Sequence, residues 1–247
     1  MANWGAGAAF QLPPAGRQLV RYAAVVGAVF DPALVRAAFE GEGLAAFDAS
    51  AFEHLGAFVE RDVAGEYRFR HRLYRETAYE GLPFRTRRRL HTRLLEVFEE
   101  RAGSNPESFA ELLSVHATRA KDHARSWRYS VVAGERARAK YANLEAAEFF
   151  GQAVQAARAL QVSEPLAVAR VAEARGDALE LAGRYDEAAR SLKEARQFAA
   201  DAPLVIARLL RKQGALHERT GAYRKALIAL SRARAILDAA PVDSPSG

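Results

Sequence analysis

Histidine, arginine and carboxylate side chains are where this sequence could do chemistry, and they are densest between Glu66 and Arg93. That stretch holds nine arginines against Glu66, Glu76 and Glu80. Its surplus of six positive charges equals the formal net charge of the whole 247-residue chain. His71 stands between Arg70 and Arg72, and Arg85, Arg87, Arg88, Arg89 and Arg93 follow. An imidazole can donate to an anion, and its charge is adjustable near neutral pH. Clustered guanidiniums can hold phosphate or nucleic acid. The competing reading is structural: a helix-start histidine satisfied by nearby backbone, and an arginine face that is solvated or paired to Glu96, Glu99 and Glu100.

Elsewhere the sequence offers little chemistry. His54, His91, His116, His123 and His217 are scattered. His116 and His123 are separated by Asp122, which belongs in a turn, and His217-Glu218 lacks the second histidine of a zinc-hydrolase helix. No Gly-x-Ser-x-Gly and no Gly-x-x-x-x-Gly-Lys-Ser/Thr phosphate loop occurs. There is no cysteine, so thiolate chemistry and disulfides are excluded. The chain is therefore read as a non-enzyme, with no metal and no cofactor of its own.

Composition sets the remaining bounds. The length suits one large domain or two ordinary ones, and half of the residues are hydrophobic, enough for a core. Met1 to Phe10 has no positive start and no sustained apolar run, as a signal peptide would. The longest apolar run, Tyr22 to Phe30, is broken by Gly27 and falls far short of the ~20 residues a membrane span needs. A cytoplasmic protein without membrane contact is expected. A pI near 9.8 would permit nucleic-acid binding.

The elements that must position these residues follow from periodicity. Leu12-Pro13-Pro14 opens a helix with Leu19, Tyr22, Ala23 and Val26 on one face, ended by Gly27. Asp31-Pro32 caps a second with Leu34, Val35, Ala38 and Phe39. Gly41 and Gly43 break the chain, and Asp48 caps a third helix bearing Phe52, Leu55 and Phe58. Val59 to Val63 and Glu66 to Phe69 form strands around an Ala64-Gly65 turn. Three helices followed by a hairpin is the layout of a winged helix. Leu73 to Leu82 and Arg85 to Arg101 are further helices, the second apolar at Leu90, Leu94, Leu95, Val97 and Phe98. Gly103-Ser104-Asn105-Pro106 is a turn, then helix runs unbroken to about Ala239, and Pro241 to Gly247 is a disordered tail. The expected organisation is mainly α. A winged-helix-like domain spans 1–82 and a helical connector 83–124. A tetratricopeptide-like solenoid spans 125–240, and the tail is 241–247.

The solenoid rests on an internal repeat. Gly176, Gly183, Tyr185, Ala188, Leu192 and Ala195 recur at Gly214, Gly221, Tyr223, Ala226, Leu230 and Ala233, each 38 residues on. A fainter copy, Gly134, Ala146, Phe150 and Ala153, lies 42 residues before the first. Small residues let two helices approach while the larger one fills the gap. The pattern resembles the tetratricopeptide repeat, a helix-turn-helix unit of ~34 residues. Extra residues fit in the connections near Val162-Ser163-Glu164-Pro165 and Ala200-Asp201-Ala202-Pro203. Counting from the glycines, Arg128, Arg170, Arg208 and Arg211 should line a groove with Glu135, Glu173 and Asp177. Such a groove suits a protein or peptide partner, or neutralises itself.

Phe69-x-His71-x-Leu73-x-Arg75, Tyr79-Glu80-x-Leu82 and Arg87-Arg88-x-Leu90-His91 resemble the segment that joins winged helix to repeats in STAND-class signalling ATPases. The likeness is to the bacterial branch found beside nucleotide cyclases and LuxR-type regulators. Leu12-Pro13, Ala23-Ala24-Val25-Val26-Gly27 and Phe30 match its winged-helix opening, so the resemblance covers roughly residues 10–240. It implies an upstream ATPase module that binds ATP or ADP, a winged helix that closes over it, and repeats that receive an effector. His71 is similar to the histidine of that class's Met-His-Asp motif, which meets the phosphates of ADP, although Arg70 and Arg72 replace its neighbours. The implied function is a non-catalytic interaction and sensing module. The alternative is a nucleic-acid-binding regulator using residues 68–93. The helix that would enter a DNA groove, Asp48 to Phe58, carries Asp48, Glu53 and His54 and no Arg or Lys, which opposes it.

Overall fold

The computed structural model describes residues 12–40, 49–161 and 164–239. The readings placed on Met1–Gln11, on Gly41, Gly43 and Asp48, on Val162-Ser163 and on the tail 241–247 lie outside the described residues. The protein is mainly helical, with a small three-stranded antiparallel sheet. Its chain divides into two compact units, residues 1–109 with 115–122, and residues 110–114 with 123–247.

In the first unit, helix α1 (Pro14–Val26) buries Leu19, Val20, Tyr22, Ala23, Ala24 and Val25. Strand β1 (Val29–Phe30) follows, then α2 (Pro32–Phe39). Asp31 caps α2 by accepting from the Ala33 N–H at 2.8 Å, and Pro32 occupies the first turn, where no donor is wasted. The third helix expected up to Phe58 is instead a 3-10 helix, Ala49–Leu55. Strands β2 (Val59–Arg61) and β3 (Tyr67–Phe69) form the hairpin, shorter than expected. Its turn is built by Asp62, whose Oδ1 accepts from Ala64 and Glu66 N–H, while Gly65 takes φ +87°.

Strand β1 went unread in the sequence. It pairs with β3, Phe30 opposite Tyr67, and completes the sheet order β1-β3-β2. Two residues give no alternation to detect. What holds them is a knot of rings: Phe30 meets Phe52, Phe69 and Tyr67 at centroid distances of 5.1, 5.7 and 6.1 Å.

Helix α3 (Arg72–Glu80) packs on α1, and α4 (Phe84–Ala102) packs on α1 and α2. The buried face of α4 is the expected one, Leu90, Leu94, Leu95, Val97 and Phe98, with His91 added. Helix α5 (Ala110–Ala120) contributes residues to both units.

The second unit is not unbroken helix but three helix pairs: α6 (His123–Ala139) with α7 (Asn143–Leu160), α8 (Pro165–Leu181) with α9 (Tyr185–Phe198), and α10 (Pro203–Arg219) with α11 (Tyr223–Ala239). Successive pairs also pack, α7 on α8 and α9 on α10. Each pair turns through one left-handed residue: Tyr141 (φ 58°), Gly183 (φ 75°) and Gly221 (φ 71°). Each is closed by a matching backbone bond, Ala142 N–H to Ala137, Arg184 to Leu179 and Ala222 to His217.

The glycines at the helix contacts admit no side chain. A Cβ on Gly134 would lie 2.6 Å from the Phe150 ring. On Gly176 it would lie 2.9 Å from Leu192, and on Gly214 2.8 Å from Leu230. Ala146, Ala188 and Ala226, and Ala153, Ala195 and Ala233, are buried beside them. Tyr185 packs on this core, whereas Tyr223, its counterpart 38 residues on, is 66% exposed. No helix follows α11 among the described residues to cover it.

Candidate functional site

His71 opens α3. It is exposed, and its Nδ1 accepts from the Leu73 N–H at 3.1 Å, which makes it the helix N-cap. The neutral ring then carries its proton on Nε2, so the outer nitrogen is a donor. The helix start adds partial positive charge. Arg70 and Arg72 are already engaged: Arg70 pairs with Glu60 and donates to the Gly56 carbonyl, and Arg72 pairs with Glu76 at 2.6 Å. Arg68 also pairs with Glu60. The basic flanks of His71 are therefore largely neutralised locally, and the site holds one outward imidazole donor at a helix terminus.

The arginine cluster is divided among structural tasks. Arg87 lies over the Tyr79 ring at 5.2 Å, and Arg88 Nε donates to the Ala120 carbonyl at 2.8 Å, closing the end of α5. Arg93 pairs with Glu96 at 3.2 Å. Arg85, Arg88 and Arg89 are exposed, but they do not form one face with Arg87.

The sequence reading missed a buried polar chain in the first unit. Tyr79 Oη and His91 Nε2 are 3.0 Å apart, and His91 Nδ1 lies 2.9 Å from His116 Nδ1. The two histidines are 3% and 2% exposed, and Phe98 stacks on His116. Burial, then His116 and the guanidiniums of Arg119, Arg75 and Arg87, holds His91 down at about 3. Burial and Arg75 hold His116 down at about 4. Both are neutral at physiological pH, and one Nδ1 donates to the other. A 25-residue separation hid this pair. The signal that was available is His91 in register with Leu90, Leu94 and Leu95 on the apolar face of α4.

In the second unit the expected groove residues separate. Arg128 is exposed and lies over the neighbouring Tyr129 ring, and Arg170 and Arg211 are exposed. Arg208 is paired to Glu173 at 2.7 Å. Lys212, absent from the sequence reading, binds Glu173 at 2.9 Å and Asp177 at 2.6 Å, and Arg219 pairs with Glu180. Hydrogen bonds to the two carboxylates raise Lys212 against the opposing effect of its burial. Acids on α8 thus meet bases on α10. Glu135 pairs with Arg138 on its own helix. This face largely neutralises itself.

An apolar cavity of about 270 Å³ lies between α1 and α3, lined by Val20, Ala78, Arg17 and Arg21 among others. Among the described residues, no three His, Asp or Glu side chains are grouped as a metal site, and no helix is long and apolar enough to cross a membrane.

Comparison with known proteins places no family on the chain: no family model matches, and no curated protein matches. A solved structure titled "Crystal structure of BtubC (BKLC) from P. vanneervenii" aligns over 96% of this chain and 97% of its own, at 13% identity and a TM-score of 0.41. That similarity is too low to carry an argument about fold or function.

Proposed function

We propose that the chain is a non-catalytic interaction and sensing module of a STAND-like signalling ATPase or transcriptional regulator, acting in the cytoplasm. The first unit is winged-helix-like and the second a tetratricopeptide-like array that takes a protein or effector partner. The observation that carries the reading is the thrice-repeated socket, Gly134 with Phe150, Gly176 with Leu192 and Gly214 with Leu230. Repeats that stack in one direction present extended faces to partners, which is the use such arrays serve. The order helix, strand, helix, helix, strand, strand in the first unit supports the winged-helix part. His71, as N-cap with an Nε2 donor, is the group of this chain that would meet an ADP phosphate held by an upstream module. The rest of the nucleotide cradle would come from that module, since no phosphate loop occurs here.

The nucleic-acid alternative is disfavoured by what the arginines already bind. Fluorescence anisotropy with a labelled DNA duplex at 50 and 200 mM salt separates the two readings. The module reading predicts no binding tighter than the non-specific range of ~10⁻⁴–10⁻⁶ M, and no ATP turnover by the purified chain. Sub-micromolar binding that falls steeply with salt would favour the alternative.

A further inference from the structure

Three helices of the first unit each set an arginine near a ring of the buried polar chain. On α3 Arg75 precedes Tyr79 by four residues, on α4 Arg87 precedes His91 by four, and on α5 Arg119 follows His116 by three. Both spacings put the two side chains on one helical face. Tyr79, His91 and His116 are linked in that order, so the three guanidiniums are drawn to one place. The guanidinium carbons of Arg87 and Arg119 lie 5.2 and 6.0 Å from the Tyr79 ring centroid. The charges of Arg119, Arg75 and Arg87 all act on His91, and Arg75 acts on His116 as well. Arg75 is held by its Nε, which donates to the Ala24 carbonyl at 3.3 Å.

No negative charge answers them. Among the described residues no carboxylate pairs with Arg75, Arg87 or Arg119, and the groups whose charges act on His91 are His116 and these three arginines. Glu76, next to Arg75 in the chain, is taken by Arg72. Arg119 sits in the last turn of α5, where the helix dipole favours it. Arg87 lies near the start of α4, where the dipole has the opposite sign and the cap, Pro83, offers no side-chain acceptor. Arg87 Nε and His116 Nε2 are both buried without a hydrogen-bond partner. Buried polar atoms are costly unless a protein group, a water or an ion completes them. Arg75 and Arg87 are half-buried and Arg119 is exposed, so the cluster reaches solvent on the α5 side.

We propose that Arg75, Arg87 and Arg119 bind a phosphate group beside Tyr79. Three guanidiniums without an acid suit a doubly charged oxyanion, and each guanidinium fork matches phosphate oxygens in pairs. The group is carried by a free phosphate ion or by a nucleotide, and the recognising chemistry is the same. Two of the three arginines stand outside the Arg85 to Arg93 run, so this site is not the basic patch read from the sequence. It does not involve His71, and it does not rest on the signalling-module reading.

Isothermal titration of the full chain with inorganic phosphate, and separately with ADP, at pH 7.5 and fixed ionic strength tests the site. Saturable heat is expected for one site per chain, with a dissociation constant below about 1 mM for at least one of the two. ADP binding at least tenfold tighter than phosphate makes the ligand a nucleotide, and equal affinity makes it the free ion; either result supports the site. Arg87→Gln and Arg119→Gln should each weaken binding roughly tenfold or more, since each removes charge-assisted hydrogen bonds. Arg119 is exposed, so Arg119→Gln should keep the melting temperature of the ligand-free chain, and it decides alone if Arg87→Gln does not fold. Arg85→Gln removes an equal charge from the same helix and should leave the affinity nearly unchanged, as should His71→Ala. No saturable binding of either ligand, or binding indifferent to Arg87→Gln and Arg119→Gln, overturns the proposal. An equal loss in Arg85→Gln or in His71→Ala also overturns it, by showing only the general field of the arginines or an anion held at the start of α3.

Discussion

Gly134→Ala lowers the melting temperature by roughly 2–8 °C, the largest of the effects expected at the three helix-pair sockets. In an exposed helix the same change would stabilise by roughly 0.5–1 kcal/mol, because alanine is the better helix former. Here the new Cβ would lie 2.6 Å from two carbons of the Phe150 ring. An aromatic ring at a fully buried position cannot yield by rotating a terminal bond, so the helices must part. Overpacking of this kind costs about 1–3 kcal/mol, which outweighs the propensity gain, and a chain of this size shifts by ~2–4 °C per kcal/mol. Gly176→Ala and Gly214→Ala should cost less, since Leu192 and Leu230 are branched and movable. Adding Phe150→Leu to Gly134→Ala should restore part of the loss, with a coupling of about 1 kcal/mol or more in a double-mutant cycle. Thermal unfolding of the four proteins checks this. An unchanged melting temperature for Gly134→Ala would contradict the socket.

The second large effect is in pH. His91 and His116 are held at about 3 and about 4 in the folded state, against 6.5 for an exposed histidine. A depressed histidine is neutral in both states above pH 6.5, so its burial carries no pH-dependent cost there. As pH falls below 6.5 the unfolded chain takes up protons that the folded chain refuses, and stability is lost down to about pH 3–4. Each histidine contributes ~1.4 kcal/mol per pH unit in that window. Between pH 7.5 and 5 the first unit should lose on the order of 2–4 kcal/mol, read from urea midpoints. His91→Gln/His116→Gln should be less stable at pH 7.5 and much flatter with pH. A wild-type midpoint that stays level from pH 7.5 to 5 would show that the pair is not the buried neutral dyad seen here.

What could be read from the sequence was what local spacing encodes. The Gly–Leu and Gly–Phe sockets were legible because each lies sixteen residues apart across one turn and recurs. The buried face of α4 was legible because a 3.6-residue period runs through Leu90, Leu94, Leu95 and Phe98. Strand β1 was not, because two residues carry no period, and Phe30 is fixed by rings brought in from Phe52, Tyr67 and Phe69. The third helix stops at Leu55, short of Phe58, and differs in type, since seven residues winding as 3-10 helix share their apolar pattern with about two α-helical turns. Which charges of the groove pair was not legible, for an electrostatic reason. The spacing put Arg208 near Glu173, but which acid on α8 takes which base on α10 depends on the packing of helices 38 residues apart, and Lys212 proved the central cation. Tyr223 repeats Tyr185 in sequence but not in burial, which depends on a following helix rather than on residue type.

His71 carries the central claim, and nucleotide release tests it. The test is made on a protein that joins this chain to the ATPase module we propose upstream: a fluorescent ADP analogue is loaded, and dissociation is timed for wild type, His71→Ala and His71→Asn. Asparagine keeps an N-cap acceptor for the Leu73 N–H, so it should preserve the folding stability that alanine lowers by about 1 kcal/mol. Neither variant keeps the Nε2 donor. One charge-assisted hydrogen bond made only in the closed state is worth ~1.5–3 kcal/mol, so both variants should release ADP roughly tenfold or more faster and raise basal output. Release at the wild-type rate from both variants would contradict the account and leave His71 a helix cap alone.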